Sequence, residues 1–151
     1  MASIYDIICG QTATSAAIGA PGRGHLTYGA LRALIEQAAS ALNGMGLGRK
    51  DRIAIVLPNG PEMGTAFLSV AACASAAPLN PAYTQDEFAY YLQDLGAKLL
   101  LVEAGSTSAA VAAATALEIP VVQIEWADTD AAGWFELAGS GPQRTPELAG
   151  W

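Results

Sequence analysis

Three short apolar runs within residues 52–103 decide the fold of this chain. Their sequences are RIAIVLPN at residues 52–59, APLNPAYT at 77–84 and KLLLVE at 98–103. An alanine-rich segment separates the first two runs, and a helix-like segment that begins at Thr84 separates the last two. This alternation is the spacing of a βαβαβ unit, whose strands lie parallel in one sheet. It predicts an α/β fold, a three-layer open and mostly parallel sheet flanked by helices.

The segments on either side of these runs complete the prediction. Apolar side chains recur at helical spacing through residues 28–45, and the turn sequence PGRG at 21–24 predicts a small N-terminal β-hairpin before that helix. Further elements are expected from the same patterns. Helices are predicted at 3–9, 61–74, 84–95 and from Ser106 or Ser108 to 117, and strands at 53–57, 76–79, 98–102 and 120–124.

Side chains that cap helices support these boundaries. Ser3 and Thr27 can accept hydrogen bonds from the first turns of the helices that follow them. Thr84 and Glu87 have the spacing of a capping box, in which each side chain bonds the backbone N–H of the other residue. Gly96 is placed to end the helix that this box begins.

The two parts of the chain differ in character. Residues 1–126 are predicted to form an α/β subdomain. Residues 127–151 are expected to be an irregular acidic tail, and SGPQRTP at 140–146 is typical of a linker. Trp134 and Phe135 are expected to anchor the segment before this linker.

Composition limits the kinds of partner. The chain has 151 residues, of which 52% are hydrophobic and 14% are charged, so it is long and apolar enough to form a compact core. Because small free domains carry about 25% charged residues, some apolar surface is expected to face another domain or another copy of the chain. The net charge of −7 and the absence of a Lys/Arg stripe argue against binding to nucleic acid or anionic lipid.

Cysteine usage favours a reducing compartment, and the length of the apolar runs favours a soluble protein. Cys9 and Cys73 lie among small apolar residues, where reduced and buried thiols are more typical than a disulfide. The N-terminus lacks the basic start of a signal peptide. The longest apolar stretch, at 66–78, is too short to span a bilayer. These features predict a soluble cytoplasmic protein.

Several residue groups have some features of a functional site, but none has the pattern that such a site requires. The run GMGLGRK at 44–50 contains glycines and a lysine, but a helix precedes it and a strand follows, which reverses the order of a phosphate-binding loop. His25 is the only histidine, and its surroundings predict a hairpin edge instead of a general base. Asp86 and Glu87 point in different directions on a helix, and capping accounts for Glu87. Cys73 is predicted to be a core residue.

Other constellations are incomplete. No Gly-x-Ser-x-Gly motif is present, and one histidine with two cysteines does not make a usual zinc ligand set. We therefore assign no catalytic, cofactor-binding or metal residue in this chain from its residues alone.

Four segments resemble, in order, the adenylate-forming enzymes, which include acyl-CoA synthetases and peptide-synthetase adenylation domains. LTYGAL at 26–31 resembles the LTYxEL opening of that superfamily, and DRIAIVLPN at 51–59 resembles its DRVAIxLPN strand. The segment 67–81 is similar to FLAxxxAGAxxxPLNP, and 84–102 is similar to TxEELxYxLxDxxAKxLL. The sequence of residues 76–92 is most similar to oxalate–CoA ligases and related small-acid ligases. The resemblance extends from about residue 3 to residue 125.

This resemblance implies a parent reaction in two steps. A carboxylate attacks the α-phosphate of MgATP to give an acyl-adenylate and pyrophosphate, and the thiol of CoA then displaces AMP. The superfamily's TSGTTGxPKG phosphate loop is expected shortly beyond this chain, so residues 127–151 would lead into a missing ATP-binding region. Its acidic metal motif, ribose-binding Asp and C-terminal Lys have no counterpart here. The resemblance thus implies ATP, Mg and CoA for the parent enzyme, but no site residue and no ligase activity for this fragment.

Two departures and two alternatives accompany the resemblance. Cys73 stands where the superfamily usually has Gly, and Ala30 replaces an acidic residue.

One alternative is a natural, non-catalytic module that binds a partner. The other is part of an amino-acid-activating adenylation domain, for which the PLNP wording is less typical. For a piece of a larger domain, we expect the partner to be the remaining domain or a second copy, with self-association into a homo-oligomer that size-exclusion chromatography can test.

Overall fold

The computed structural model describes residues 3–148 and has the predicted α/β fold. Residues 149–151 of the predicted tail, and the first two residues, lie outside this range. The helices in the described range are α1 Ile4–Cys9, α2 Tyr28–Gly44, α3 Pro61–Cys73, α4 Gln85–Leu95 and α5 Ala109–Ala116. The strands are β1 Ala16–Ile18, β2 Leu26–Thr27, β3 Arg52–Val56, β4 Ser75–Pro78, β5 Leu99–Glu103, β6 Val121–Glu125 and β7 Glu136–Ala138.

Five strands form the main sheet in the order β4-β3-β5-β6-β7. The pairs β3–β4, β3–β5 and β5–β6 are parallel, and α3, α4 and α5 make the crossover connections between successive parallel strands. In the register, Ile53 lies opposite both Ala76 and Leu99, and Leu101 lies opposite Val122. This arrangement confirms the mostly parallel sheet that the three apolar runs predict.

Helices cover both faces of this sheet, which explains why its central strands are apolar on both sides. One core cluster joins α2 and α3 to alternate residues of β3 and β5, and the other joins α4 and α5 to the residues between them. The first set of strand side chains is Ile53, Ile55, Leu99 and Leu101, and the second is Ala54, Val56, Leu100 and Val102. The predicted three layers are therefore present.

The N-terminal hairpin is also present. Strands β1 and β2 pair antiparallel, with Ile18 opposite Leu26, and Leu26 is buried in the first core cluster. Thr27 then caps α2, because its Oγ1 accepts the N–H of Ala30 at 3.2 Å. The hairpin thus leads directly into the first long helix, as the PGRG turn predicts.

The segment after Trp126 differs from the expectation of an irregular tail, because it contains β7. This strand pairs antiparallel with β6, and Phe135 just before it is only 2% exposed in the first core cluster. Anchoring by Phe135 is therefore confirmed. A strand of three residues has too short a pattern to be recognised in sequence, and its pairing with β6 is what defines it. Whether residue 126 marks a domain boundary stays a prediction.

The outer edge of β4 is protected against pairing with another strand. Pro78, at the end of β4, has no backbone N–H to offer a further strand. Among the described residues, no helix has the length and apolar character required to cross a membrane.

Candidate functional site

The carboxyl edge of the main sheet is the candidate site, since open α/β sheets bind ligands where their connections diverge. The helix that follows β3 packs on one face of the sheet, and the helix that follows β5 packs on the other face. The loops at residues 57–60 and 104–108 leave the sheet at this point of divergence. Any ligand site of the usual doubly wound type would lie between these loops.

The first turn of α3, next to this crevice, contains the acidic residue Glu62. Pro61 occupies the first turn and has no N–H to donate. The N-cap residue of α3 is Gly60, and no side chain caps the helix. The Glu62 side chain is 8% exposed, and its carboxylate lies 2.6 Å from the Arg23 guanidinium and accepts the Gly133 N–H at 3.0 Å. Glu62 thus lies in the first turn of α3, where an acid interacts favourably with the helix dipole, and its charge is balanced by Arg23.

The other two helix N-termini at this edge are capped by their own side chains. Thr84 and Glu87 complete the predicted capping box on α4, and the backbone N–H of Thr84 holds the pKa of Glu87 below its usual value. On α5, the Ser108 Oγ accepts the Ala110 N–H at 3.2 Å. The donors that could hold an anion are thus partly used by the protein itself.

A hollow of about 260 Å³ lies at the end of β6 and is acidic and aromatic. Its walls include Trp126 and Trp134 together with Glu125, Asp130 and Glu136. Glu125 and Glu136 stand directly opposite each other across β6 and β7. Carboxylates concentrated here repel phosphate groups, so this hollow does not suit a nucleotide or CoA.

Metal binding has no support in the described part of the chain, where no group of three or more His, Cys, Asp or Glu side chains could hold an ion. The described carboxyl edge therefore fits neither a nucleotide phosphate nor its magnesium ion.

The glycine-rich run at 44–50 is a helix end and a turn, as interpreted from its order. α2 ends at Gly44, Met45 is its C-cap, and β3 begins at Arg52. His25 is exposed and lies immediately before β2, which agrees with the predicted hairpin edge. Asp86, next to the capping residue Glu87, is exposed in the first turn of α4.

The two cysteines have different environments, and neither is in a disulfide. Cys73 is a buried core residue, as predicted, and its burial raises the pKa of the thiol to about 11. The expectation that Cys9 is buried is wrong, because Cys9 is exposed at the end of α1. In this short helix only Ile8 is buried. A small apolar neighbourhood in sequence did not reveal which side of α1 faces solvent.

Two clusters of charged residues were not foreseen, because each joins residues that are distant in sequence. Arg23 in the hairpin turn pairs with Glu62 and donates to the carbonyl oxygen of Ala131 at 3.2 Å. Glu147 pairs with Lys50 at 2.8 Å and with Arg49, which is 98 residues away. The basic residues Arg49 and Lys50 at the end of the glycine-rich run are the only sequence signal for the second cluster.

The second cluster predicts an acid-sensitive contact. Hydrogen bonds from Lys50 and Arg49 hold the pKa of Glu147 below its usual value. A depressed carboxyl pKa means that the contact contributes stability above the unfolded-state pKa, and that this stability is lost as the pH falls through the folded-state pKa. We expect a ¹³C NMR titration to show a low pKa for Glu147 that rises in Lys50→Met. Lys98→Met is the matched control, and an unchanged Glu147 pKa in Lys50→Met would contradict the assignment.

Comparison with known proteins gives a consistent family. The sequence model described as AMP-binding enzyme matches residues 9–147. The chain is 44% identical over 104 residues to the probable CoA ligase CCL9 of Humulus lupulus, a match that covers 68% of this chain and 20% of that protein. It is 43% identical over 105 residues to the oxalate–CoA ligase of Arabidopsis thaliana, again covering 68% and 20%. The chain thus spans about a fifth of the length of these relatives.

A solved structure agrees with the fold. Apo MatB from Rhodopseudomonas palustris matches with a TM-score of 0.71 and 19% identity, over 94% of this chain and 31% of that chain. Similarity at this level of identity concerns the fold alone. The relatives also bear out the resemblance to acyl-CoA synthetases, including oxalate–CoA ligase, that the four sequence segments indicate.

Proposed function

Because the chain belongs to the AMP-binding enzyme family, we propose that it forms the N-terminal subdomain of an ATP-dependent acid–CoA ligase. In this proposal the subdomain supports the fold of the enzyme and supplies none of the groups that react. The observation that carries it is the carboxyl edge of the sheet, where Glu62 at the start of α3 is paired with Arg23 and the α4 N-terminus is capped by Thr84 and Glu87.

The proposed reaction of the whole enzyme converts a carboxylate, ATP and CoA into an acyl-CoA, AMP and pyrophosphate through an acyl-adenylate. Polyphosphate chemistry requires clustered cationic or backbone N–H donors, with magnesium to neutralise charge. The described residues of this chain do not fit those groups, so no step of the reaction is assigned to them. ATP, Mg and CoA would be bound by polypeptide outside this subdomain.

We propose a small carboxylic acid as the substrate class. Support comes from residues 76–92, whose sequence resembles that of small-acid ligases, and from the 43% identity to a protein named oxalate–CoA ligase. The acid itself would be recognised outside the residues described here.

The partner in this proposal is the remainder of the ligase polypeptide, with a second copy of the chain as the other candidate. Residues 106–117, which include α5, carry no charged side chain, and a surface of this kind suits contact with protein more than contact with water. Exposed Cys9 and buried Cys73 are both free thiols, which suits the reducing environment of the cytoplasm.

The isolated 151-residue chain is expected to show no ligase activity, because its described residues offer no site for the ATP phosphates. The measurement is ATP–pyrophosphate exchange together with thioester formation from CoA, tested with oxalate and other small acids. The Arabidopsis thaliana oxalate–CoA ligase serves as the positive control. ATP-dependent thioester formation by the purified chain, removed by heat denaturation of the chain, would overturn the scaffold proposal.

A further inference from the structure

The turn between α2 and β3, residues 44–51, lies against a later segment of the same chain, residues 141–147. We call the first the glycine turn and the second the docked segment. The glycine turn carries the glycines and lysine that superficially suggest a phosphate loop. In the folded chain the glycine turn contacts the docked segment of the same polypeptide.

Two glycines of this turn allow the backbones to approach closely. A Cβ atom at Gly48 would overlap the carbonyl oxygen of Glu147, and one at Gly46 would overlap the backbone of Arg144. At Gly44, in contrast, an added Cβ would meet no atom within 4 Å. Gly46 and Gly48 are thus required by the docked segment, whereas Gly44 is not.

Backbone hydrogen bonds join the two segments at both ends of the contact. The N–H of Gln143 donates to the carbonyl oxygen of Met45 at 2.8 Å. The N–H of Arg49 donates to the carbonyl oxygen of Glu147, also at 2.8 Å. These bonds join backbone groups and are independent of side-chain identity, so they hold the two segments together without selecting a register.

Charged side chains then fix its register. Arg144 pairs with Asp51, which is largely buried, and Glu147 pairs with Arg49 and Lys50. Sliding the docked segment along the turn would separate these opposite charges, so the ion pairs favour the observed register.

We propose that the glycine turn is a positioning latch that holds the docked segment and fixes the direction in which the polypeptide leaves the subdomain. This inference rests on the proposed function, since in the ligase the polypeptide would continue beyond the docked segment to the parts that bind ATP. Gly46, Gly48, Asp51 and Arg144 are then positioning residues and take no part in the reaction. Their effect is mechanical, because a displaced exit would misplace whatever follows it.

The test is amide hydrogen exchange by NMR in the 151-residue chain, comparing Gly48→Ala with Gly44→Ala. In Gly48→Ala, exchange at the Gln143 and Arg49 amides is expected to rise about tenfold, as the loss of roughly one net hydrogen bond implies. The {¹H}–¹⁵N NOE of residues 143–147 should also fall, which a purely global loss of stability would not cause. Amides of β3 and β5 should keep their protection, and Gly44→Ala should match the wild type.

Unchanged exchange at Gln143 and Arg49 in Gly48→Ala would overturn the latch. Should Gly48→Ala fail to fold, the double variant Arg144→Gln/Glu147→Gln removes the ion pairs without a steric clash. It is expected to raise exchange at the same two amides, while high salt alone produces part of that effect in the wild type. An unchanged double variant would also overturn the proposal. Because these measurements need no ligase activity, their outcome is separate from that of the proposed function.

Discussion

Replacing Arg23 by methionine is expected to lower the free energy of unfolding by about 3–5 kcal/mol, the usual cost of removing one partner from a buried ion pair. The side chain of Arg23 is 14% exposed and that of Glu62 is 8% exposed, so the ion pair is largely buried. In Arg23→Met the Glu62 carboxylate would stay buried without its cation. Methionine retains the apolar stem, which limits the loss of packing.

The effect of Arg23→Met extends beyond one ion pair, because the same cluster joins three parts of the fold. Arg23 donates to the carbonyl oxygen of Ala131, and Glu62 accepts the Gly133 N–H. Thr65 donates to the carbonyl oxygen of Gly133 at 2.6 Å. The hairpin, the start of α3 and the turn before β7 are therefore held by one buried polar network.

Urea unfolding of the purified chain measures this prediction, with Arg52→Met as the control. Arg52 is exposed, and its replacement is expected to change the free energy of unfolding by less than about 0.5 kcal/mol. Adding Glu62→Gln to Arg23→Met should recover part of the loss, since the neutral amide can still accept the Gly133 N–H. A cost below about 1 kcal/mol for Arg23→Met would show that the pair is hydrated and carries little of the stability.

Elements fixed by local interactions could be predicted from the sequence. The capping box of Thr84 and Glu87 and the left-handed Gly96 that ends the same helix depend on neighbours within one turn. Ser3 likewise caps α1 within its own first turn. Apolar runs buried on both faces made the parallel sheet predictable, because few other environments tolerate them.

Interactions between distant residues could not be predicted in this way. Nothing near Arg23 in the sequence indicates that Glu62 will be its partner, and nothing near Gly48 indicates contact with Glu147. The strand β7 depends on β6 for its definition, and the exposure of Cys9 depends on which face of α1 is covered. Each of these features depends on how the helices and strands pack against one another. A short window of sequence, with its pattern and propensities, holds no information about that packing.

The candidate site also shows which features can be predicted from local sequence and which cannot. Residue chemistry alone predicted no catalytic constellation, and the family came from the order and spacing of four segments. In the structure, the segments that identify the family form strands β3, β4 and β5 and the helices around them. Residues 52–103 therefore specify the central parallel strands of the sheet and also carry most of the family resemblance.

A chimera is expected to show that this support is functional. In it, the 105 residues of Arabidopsis thaliana oxalate–CoA ligase that align with this chain are replaced by their counterparts here. If the subdomain supplies structure and the acceptor supplies the reacting groups, the chimera should retain ATP-dependent oxalyl-CoA formation. Activity within about a hundredfold of the parent is expected, since a misplacement of about 1 Å can cost that much.

Thioester formation by this chimera is the most direct test of the central claim that the chain is the N-terminal scaffold of an acid–CoA ligase. The measurement is the rate of oxalyl-CoA production from oxalate, ATP and CoA, with the unmodified Arabidopsis enzyme and the isolated 151-residue chain assayed alongside. We predict activity in the chimera and none in the isolated chain. A chimera that is soluble and folded by circular dichroism but forms no oxalyl-CoA would contradict it.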